Sequence, residues 1–226
     1  VIRSLLQHGK TGIHQLGLLY NMNSAFIDPL FSTPLYRNKI EFSSDVQKFI
    51  KNANYVRQLN AFSTENFYML DEPGLSDLKK NIKLEVDNFL YNALSFSRKI
   101  EFLITTSWLI KHAKGDYSPP HFHSNSLYSG IVYIQVNDDS GDIIFSNNNR
   151  SPLFPRELFF EIDNYYLLNS STWKIRPKNK DILIFPSHLT HEVTSNLSDE
   201  ERYVLAFNLF PSGIFSENSI SELKII

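Results

Sequence analysis

Ser129-Gly130-Ile131-Val132-Tyr133-Ile134-Gln135-Val136 is a run rich in β-branched and aromatic residues, and polar turn residues follow it. Runs of the same texture lie on either side: Phe102–Ile110, Gly141–Ser146, Glu157–Ile162, Trp173–Arg176, Asp181–Phe185, His191–Thr194 and Arg202–Phe210. The connections are short and no long helix intervenes, which argues for antiparallel sheet and against βαβ units. Seven or eight such strands after a helical opening predict a mainly β fold with flanking helices. The expected architecture is a two-sheet jelly roll or barrel carrying helices on one side.

Working outward, two helices are expected before residue 100. Ser43 or Ser44 can cap a short one through Val46, Phe49 and Ile50. A longer one follows Ser76, with Leu78, Ile82, Val86, Phe89 and Leu90 spaced by three or four residues. Gly and Pro are absent from Asp77 through Arg98, so it can run for several turns, and its role is to buttress a sheet. Residues 1–21 contain Gln7, His8, Lys10, His14 and Gln15, which breaks any signal-peptide apolar region. They read as a peripheral segment, with one domain over 22–226: helical support over about 40–100 and a β core over about 101–212.

The length of 226 residues suits one domain able to bury a core without staples. There is no cysteine, which excludes thiolate catalysis, zinc fingers and iron–sulfur clusters and favours the cytosol. Any metal must be held by His, Asp or Glu. The net charge of −2 is mixed along the chain, so no nucleic-acid partner is expected. No apolar run reaches the roughly 20 residues that a membrane helix requires.

Four of the seven histidines fall in two tight groups, Pro120-His121-Phe122-His123 and Pro186-Ser187-His188-Leu189-Thr190-His191. Residues two apart on an extended strand share a face, so His121 and His123 can present their imidazoles together. His191 begins a later strand, which a closed barrel can bring opposite the first pair. Three ligands on one side of a metal leave open positions for substrate and oxygen, as iron(II) chemistry requires. A His-x-His pair alone is a weak signal, and His188 reads as a neighbour of the site. His8, His14 and His112 have no partners at ligand spacing.

Arg202 opens the apolar strand Tyr203–Phe210. A guanidinium at a barrel mouth is costly unless it pairs with an anion, and its planar fork matches a carboxylate. On spacing alone, a rim pair with Glu200 is equally consistent.

Taken together, these blocks resemble the 2-oxoglutarate–iron(II) oxygenases of the prolyl-hydroxylase-like superfamily, of the type frequent in phage and marine bacteria. The resemblance runs from Phe31-Ser32-Thr33-Pro34-Leu35 to Phe210. It is strongest in Trp108, Gly115, His121-x-His123 and Ser129–Ile134, and continues in Gly141–Phe145, Phe185-Pro186-Ser187, His191-Glu192-Val193 and Glu201–Asn208. It implies a double-stranded β-helix that uses iron(II), 2-oxoglutarate and O2, with ascorbate as a reductant. His121, His123 and His191 would be the metal ligands and catalytic residues. Arg202 would grip the far carboxylate of 2-oxoglutarate, and Tyr133 and Ser129 would line its pocket. The implied reaction hydroxylates a carbon of a small molecule, amino acid or peptide, releasing succinate and CO2. The implied setting is the cytoplasm of a bacterium or phage-infected cell, with an oligomer left open.

The chain departs from the superfamily in one place: an Asp or Glu usually stands where this sequence has His123. Asp116, Asp139 or Asp142 can fill that role if His123 turns away, and water or halide is a third option. Glu192 and Asn208 are candidates to orient the imidazoles, and residues 146–156 with Tyr165-Tyr166 can form part of a lid. Two other classes stay open: a cupin-like metal enzyme that does not use 2-oxoglutarate, and a non-enzymatic β-sandwich module.

Overall fold

The computed structural model describes residues 30–147 and 161–225. Contacts divide the chain into Val1–Thr33 and Pro34–Ile226, and the second unit carries every element below. In chain order these are β1 (Tyr36–Lys39), α1 (Ser44–Lys51), β2 (Val56–Arg57), β3 (Phe62–Ser63), α2 (Ser76–Asp87), β4 (Glu101–His112) and β5 (Ser118–His121). Then follow β6 (Tyr128–Gln135), β7 (Ile143–Ser146), β8 (Thr172–Ile175), β9 (Asp181–Pro186), β10 (Thr190–Val193), β11 (Arg202–Phe215) and β12 (Leu223–Ile225). The peripheral segment expected at 1–21 lies outside the described residues, with His8 and His14, and so does most of the loop 146–156. Of the strand expected at Glu157–Ile162, residues 157–160 also lie outside them, and Glu161 and Ile162 are not in a strand.

The first helix begins at its cap, whereas α2 starts at Ser76 without a side-chain cap. The Ser43 hydroxyl accepts from the Val46 N–H at 3.3 Å, Asp45 sits in the first turn of α1, and Lys48 and Lys51 sit in its last. After α2 the chain widens into one looser turn, Asn88–Ala93, in which the Leu94 N–H reaches the Phe89 carbonyl. Ser95, at φ 57°, then turns the chain out of the helix, and the Phe96 N–H bonds back to the Leu90 carbonyl. The helical stretch therefore stops short of Arg98 although no Gly or Pro interrupts it. Phe96 leaves to stack on Phe102, with ring centroids 5.6 Å apart.

Eight strands form the larger sheet, in the order β1-β9-β6-β11-β4-β3-β2 with β12 on β11, and β5-β10-β7-β8 form the smaller. The centre of the larger sheet, β6, β9 and the first half of β11, is buried on both faces. Val132, Ile134, Ile182, Ile184, Leu205 and Phe207 point towards the helices, where Leu78, Ile82 and Leu90 meet them. The alternating residues Ile131, Tyr133, Leu183, Phe185 and Val204 pack towards Ile143, Phe145 and Ile175 of the smaller sheet. Strands covered on both sides read as continuous apolar runs, which explains the texture of the sequence. Burying each large side chain contributes about 1.5–3 kcal/mol. Gly130 permits the closest approach in this layer: a Cβ there would lie 2.1 Å from the ring of Phe207, its cross-strand partner.

A jelly-roll arrangement of antiparallel sheets is present, and it is open. β1 and β2 end one sheet, β5 and β8 end the other, and no closed barrel forms among the described residues. The cavity is a cleft between two open sheets. Among the described residues no helix is long and apolar enough to cross a membrane.

Candidate metal centre

Pairing of two short strands brings the histidine groups together. β5 is an edge strand, which tolerates Pro119 and Pro120, and it runs antiparallel to β10 with His121 directly opposite His191. His123 lies just beyond the end of β5, where its N–H bonds to the Ser187 carbonyl. The rings of His121 and His191 are 4.3 Å apart, those of His123 and His191 5.1 Å, and those of His121 and His123 5.4 Å. One nitrogen from each of the three lies within 4.8 Å of the others.

Hydrogen bonds fix which nitrogen each ring offers. Nδ1 of His121 is 2.8 Å from the Pro119 carbonyl, and Nδ1 of His191 is 3.0 Å from the Leu189 carbonyl. A carbonyl only accepts, so both Nδ1 atoms carry the proton and both Nε2 atoms keep a lone pair. His123 is set by side chains instead. Its Nδ1 is 2.8 Å from Oδ1 of Asn208 and 2.7 Å from Oγ of Ser129. The Asn208 amide donates to Thr106 Oγ1 at 3.0 Å, which turns Oδ1 towards the imidazole. Ser129 also contacts Ser187 at 2.8 Å, and Ser187 donates to Ser126 at 2.7 Å, so a line of hydroxyls backs this ring. Three lone pairs in one patch, each fixed from behind, fit a divalent cation.

Burial disfavours protonation of His123 and His191. It pushes the pKa of His191 down to about 3, with help from neighbouring His121. His123 is lowered mainly by burial, against the Asn208 hydrogen bond. Exposure falls across the group, from exposed His121 through half-buried His123 to His191 at 2%.

No Asp or Glu joins this cluster among the described residues. Asp116 is held by Arg57 at 2.8 Å and by the Ala113 N–H, and Asp142 is held by Arg176 at 3.0 Å. His123 does not turn away, so those carboxylates have no vacancy to fill. His188 is exposed.

The histidines border a cavity of about 300 Å³ that Arg202 and Tyr133 also line. Arg202 is 1% exposed, so it is not a rim residue. Its Nη1 donates to the Ser140 carbonyl at 2.7 Å, while its buried Nε has no partner. The lining contains no Asp or Glu. Burial lowers the guanidinium pKa to about 10, which still leaves it charged at neutral pH.

Ser129 departs from expectation: it is not among the cavity-lining residues. It shares a face with Tyr133 but sits one register step deeper than Ile131, behind His123. Sequence reasoning set His112 aside, yet it lines the same cavity, opposite Arg202 across the β4–β11 pair. Its only signal was its place at the end of an apolar run, since the partner is supplied by strand register.

Residues 106–208 match the family described as "Putative 2OG-Fe(II) oxygenase". The match takes in less than half of the chain, and over that segment the sequence is similar to this family. The matched segment spans His121, His123, His191 and Arg202. No curated protein sequence matches the chain. The chain is similar in fold to an oxidoreductase of the 2OG-Fe(II) oxygenase family from Burkholderia pseudomallei, with 11% identity, a TM-score of 0.52 and coverage of 73% of this chain and 75% of that one. HygX from Streptomyces hygroscopicus, solved with nickel, 2-oxoglutarate and hygromycin B, matches at 13% identity and a TM-score of 0.52 over 78% and 82% of the two chains. A prolyl hydroxylase from Trichoplax adhaerens, in complex with a hypoxia inducible factor peptide fragment, matches at 13% and 0.51 over 78% and 83%. These likenesses show the fold, a double-stranded β-helix.

Proposed function

We propose that the chain is an oxygenase that holds iron(II) on Nε2 of His121, His123 and His191 and seats 2-oxoglutarate with its far carboxylate on Arg202. The reaction is hydroxylation of a carbon of a small molecule, amino acid or peptide. One observation carries this reading: a three-nitrogen patch and a buried, uncompensated guanidinium border one cavity. A group bearing a metal-binding end and a carboxylate end answers both. Small-molecule and peptide substrates are both compatible with it, as HygX and the prolyl hydroxylase illustrate for their own folds.

Iron(II) with 2-oxoglutarate and O2 would supply the oxidising power, one oxygen atom entering the substrate C–H bond and the other entering succinate as CO2 leaves. The chain's own residues bind and orient. The Pro119 and Leu189 carbonyls and Asn208 hold the imidazole planes. Trp108, Ile131 and Val204 keep the cavity wall apolar, which strengthens the attraction of Arg202 for an anion. Three neutral imidazoles leave the cation's full +2 charge for the 2-oxoglutarate dianion to balance. Metal and cosubstrate binding are therefore coupled.

Anaerobic titration should find one iron(II) per chain. With ascorbate and air, 2-oxoglutarate should then be converted slowly to succinate. Arg202→Ala should reduce that conversion at least ~100-fold, the loss expected when a buried bidentate ion pair disappears. Stoichiometric iron binding with no succinate, and no effect of Arg202→Ala, would instead indicate a metal enzyme that does not use 2-oxoglutarate. No iron binding would leave the histidines incidental.

A further inference from the structure

On β11 the cavity face runs from Arg202 through Val204 and Ala206 to Asn208, which holds His123. The same face continues past the metal centre, on the side away from Arg202. Phe210 pairs with Leu103 there, while Leu209 and Phe102 on either side belong to the helix-side core. Leu127, whose N–H bonds to the Leu209 carbonyl and whose neighbour Tyr128 is also in that core, extends the row. Leu127, Phe210 and Leu103 are 43%, 36% and 40% exposed, so an apolar row crosses three segments uncovered. It ends at an open strand edge. β3 pairs with β4 at Lys111 and Ile110, Thr64 bonds to Leu109, and the Ser107 N–H donates to the Phe67 carbonyl at 2.7 Å. Among the described residues no strand pairs with residues 101–106 on that side. An open edge beside exposed apolar side chains is a template for one more strand, which proteins ordinarily blunt.

We propose that the substrate is an extended peptide, which adds a strand to β4 along residues 101–106 and lays alternate apolar side chains on Leu103, Phe210 and Leu127. This rests on the oxygenase reading above. With 2-oxoglutarate on the Arg202 side, the row lies where a substrate approaches the metal. A peptide fits better than a small apolar molecule, because the edge offers backbone hydrogen bonds and the row offers side-chain contacts at a strand's own spacing. The segment through Phe67 and Tyr68 closes the edge at Ser107. A peptide paired below it therefore leaves the edge beside Trp108, whose ring lines the cavity 5.5 Å from that of His123. The side chain presented at that point is the one delivered to the centre.

The test pans a phage library of random octapeptides against the full chain in Mn(II) and 2-oxoglutarate, and measures binding of the selected peptides by fluorescence anisotropy. They should share apolar residues at alternating positions. The double variant Leu103→Lys with Phe210→Lys should weaken binding at least ~10-fold, the effect of losing two apolar contacts, and keep its Mn(II) affinity. Alternate N–H groups of a strand face the same edge, so N-methylation of one alternate set in the peptide should abolish binding and N-methylation of the other should not. That pair needs no protein variant and decides if the double variant fails to fold. Replacing Zn(II) by Mn(II) should broaden the proton resonances of one end of the bound peptide. An empty selection, peptides indifferent to the two lysines or to both N-methyl sets, or no broadening by Mn(II) would each overturn the peptide role, while succinate formation from 2-oxoglutarate would still uphold the oxygenase reading. Peptide binding by a chain that takes neither Mn(II) nor 2-oxoglutarate overturns both.

Discussion

The two ends of the cavity differ in how completely the protein satisfies its own polar atoms. At the histidine end every Nδ1 has an acceptor, two from backbone carbonyls and one from Asn208 and Ser129. Only lone pairs face inward. At the opposite end Arg202 Nε is buried with nothing to bond to. One end is complete apart from a cation; the other is complete only with an acceptor present. Buried polar groups are normally paired, so where pairing stops is informative about the ligand.

The largest effect should come from emptying the complete end. His191→Ala removes the most buried of the three rings and should weaken metal binding at least ~1000-fold, as read by iron(II) or Mn(II) titration. If stoichiometric binding survives, the three imidazoles do not act together. A smaller effect should follow from loosening the support alone. Asn208→Ala leaves every proposed ligand in place but takes the main acceptor from His123 Nδ1, and metal affinity should fall about 10–100-fold. A loss as large as that of His191→Ala would mean Asn208 does more than orient a ring.

The smallest effect probes the unpaired end through pH. Burial pushes His112 down to about 3, whereas an unfolded histidine titrates near ~6.5. Below the unfolded value the unfolded chain takes up a proton that the folded chain refuses. Stability therefore falls as the pH drops from the unfolded value towards the folded one. By pH ~5 the cost from this one residue is roughly 2 kcal/mol. Thermal melts of metal-free protein at pH 7 and pH 5 should show a steeper loss for wild type than for His112→Leu. Equal losses would show that His112 is not held neutral by its surroundings.

Much of this was legible in the sequence, and the reasons differ by element. The long strands were visible because a sheet buried on both faces leaves unbroken apolar runs, as in Ile131–Ile134 and Tyr203–Phe207. The strands at Tyr36–Lys39, Val56–Arg57 and Leu223–Ile225 were not, because such short pieces take their conformation from a sheet edge rather than from their own pattern. His121, His123 and His191 stood out by local spacing. His112 could not, since its neighbour Arg202 is assigned by register between distant strands. Ser129 was placed on the right face but at the wrong depth, because alternation gives the side of a sheet and not the distance along it. Of the two expected forms, jelly roll or barrel, the open one is seen among the described residues, a choice that a run of strands does not reveal because it does not show whether edges meet.

The graded exposure of the three imidazoles has a consequence for traffic. On the proposed ligand set, a cation would be bordered by exposed His121 on one side and buried His191 on the other, so a chelator would be able to load or strip it while the chain stays folded. Such a centre would be a shelf at the lip of the cleft, not a vault. Its occupancy should follow the free metal outside within the lifetime of the native state.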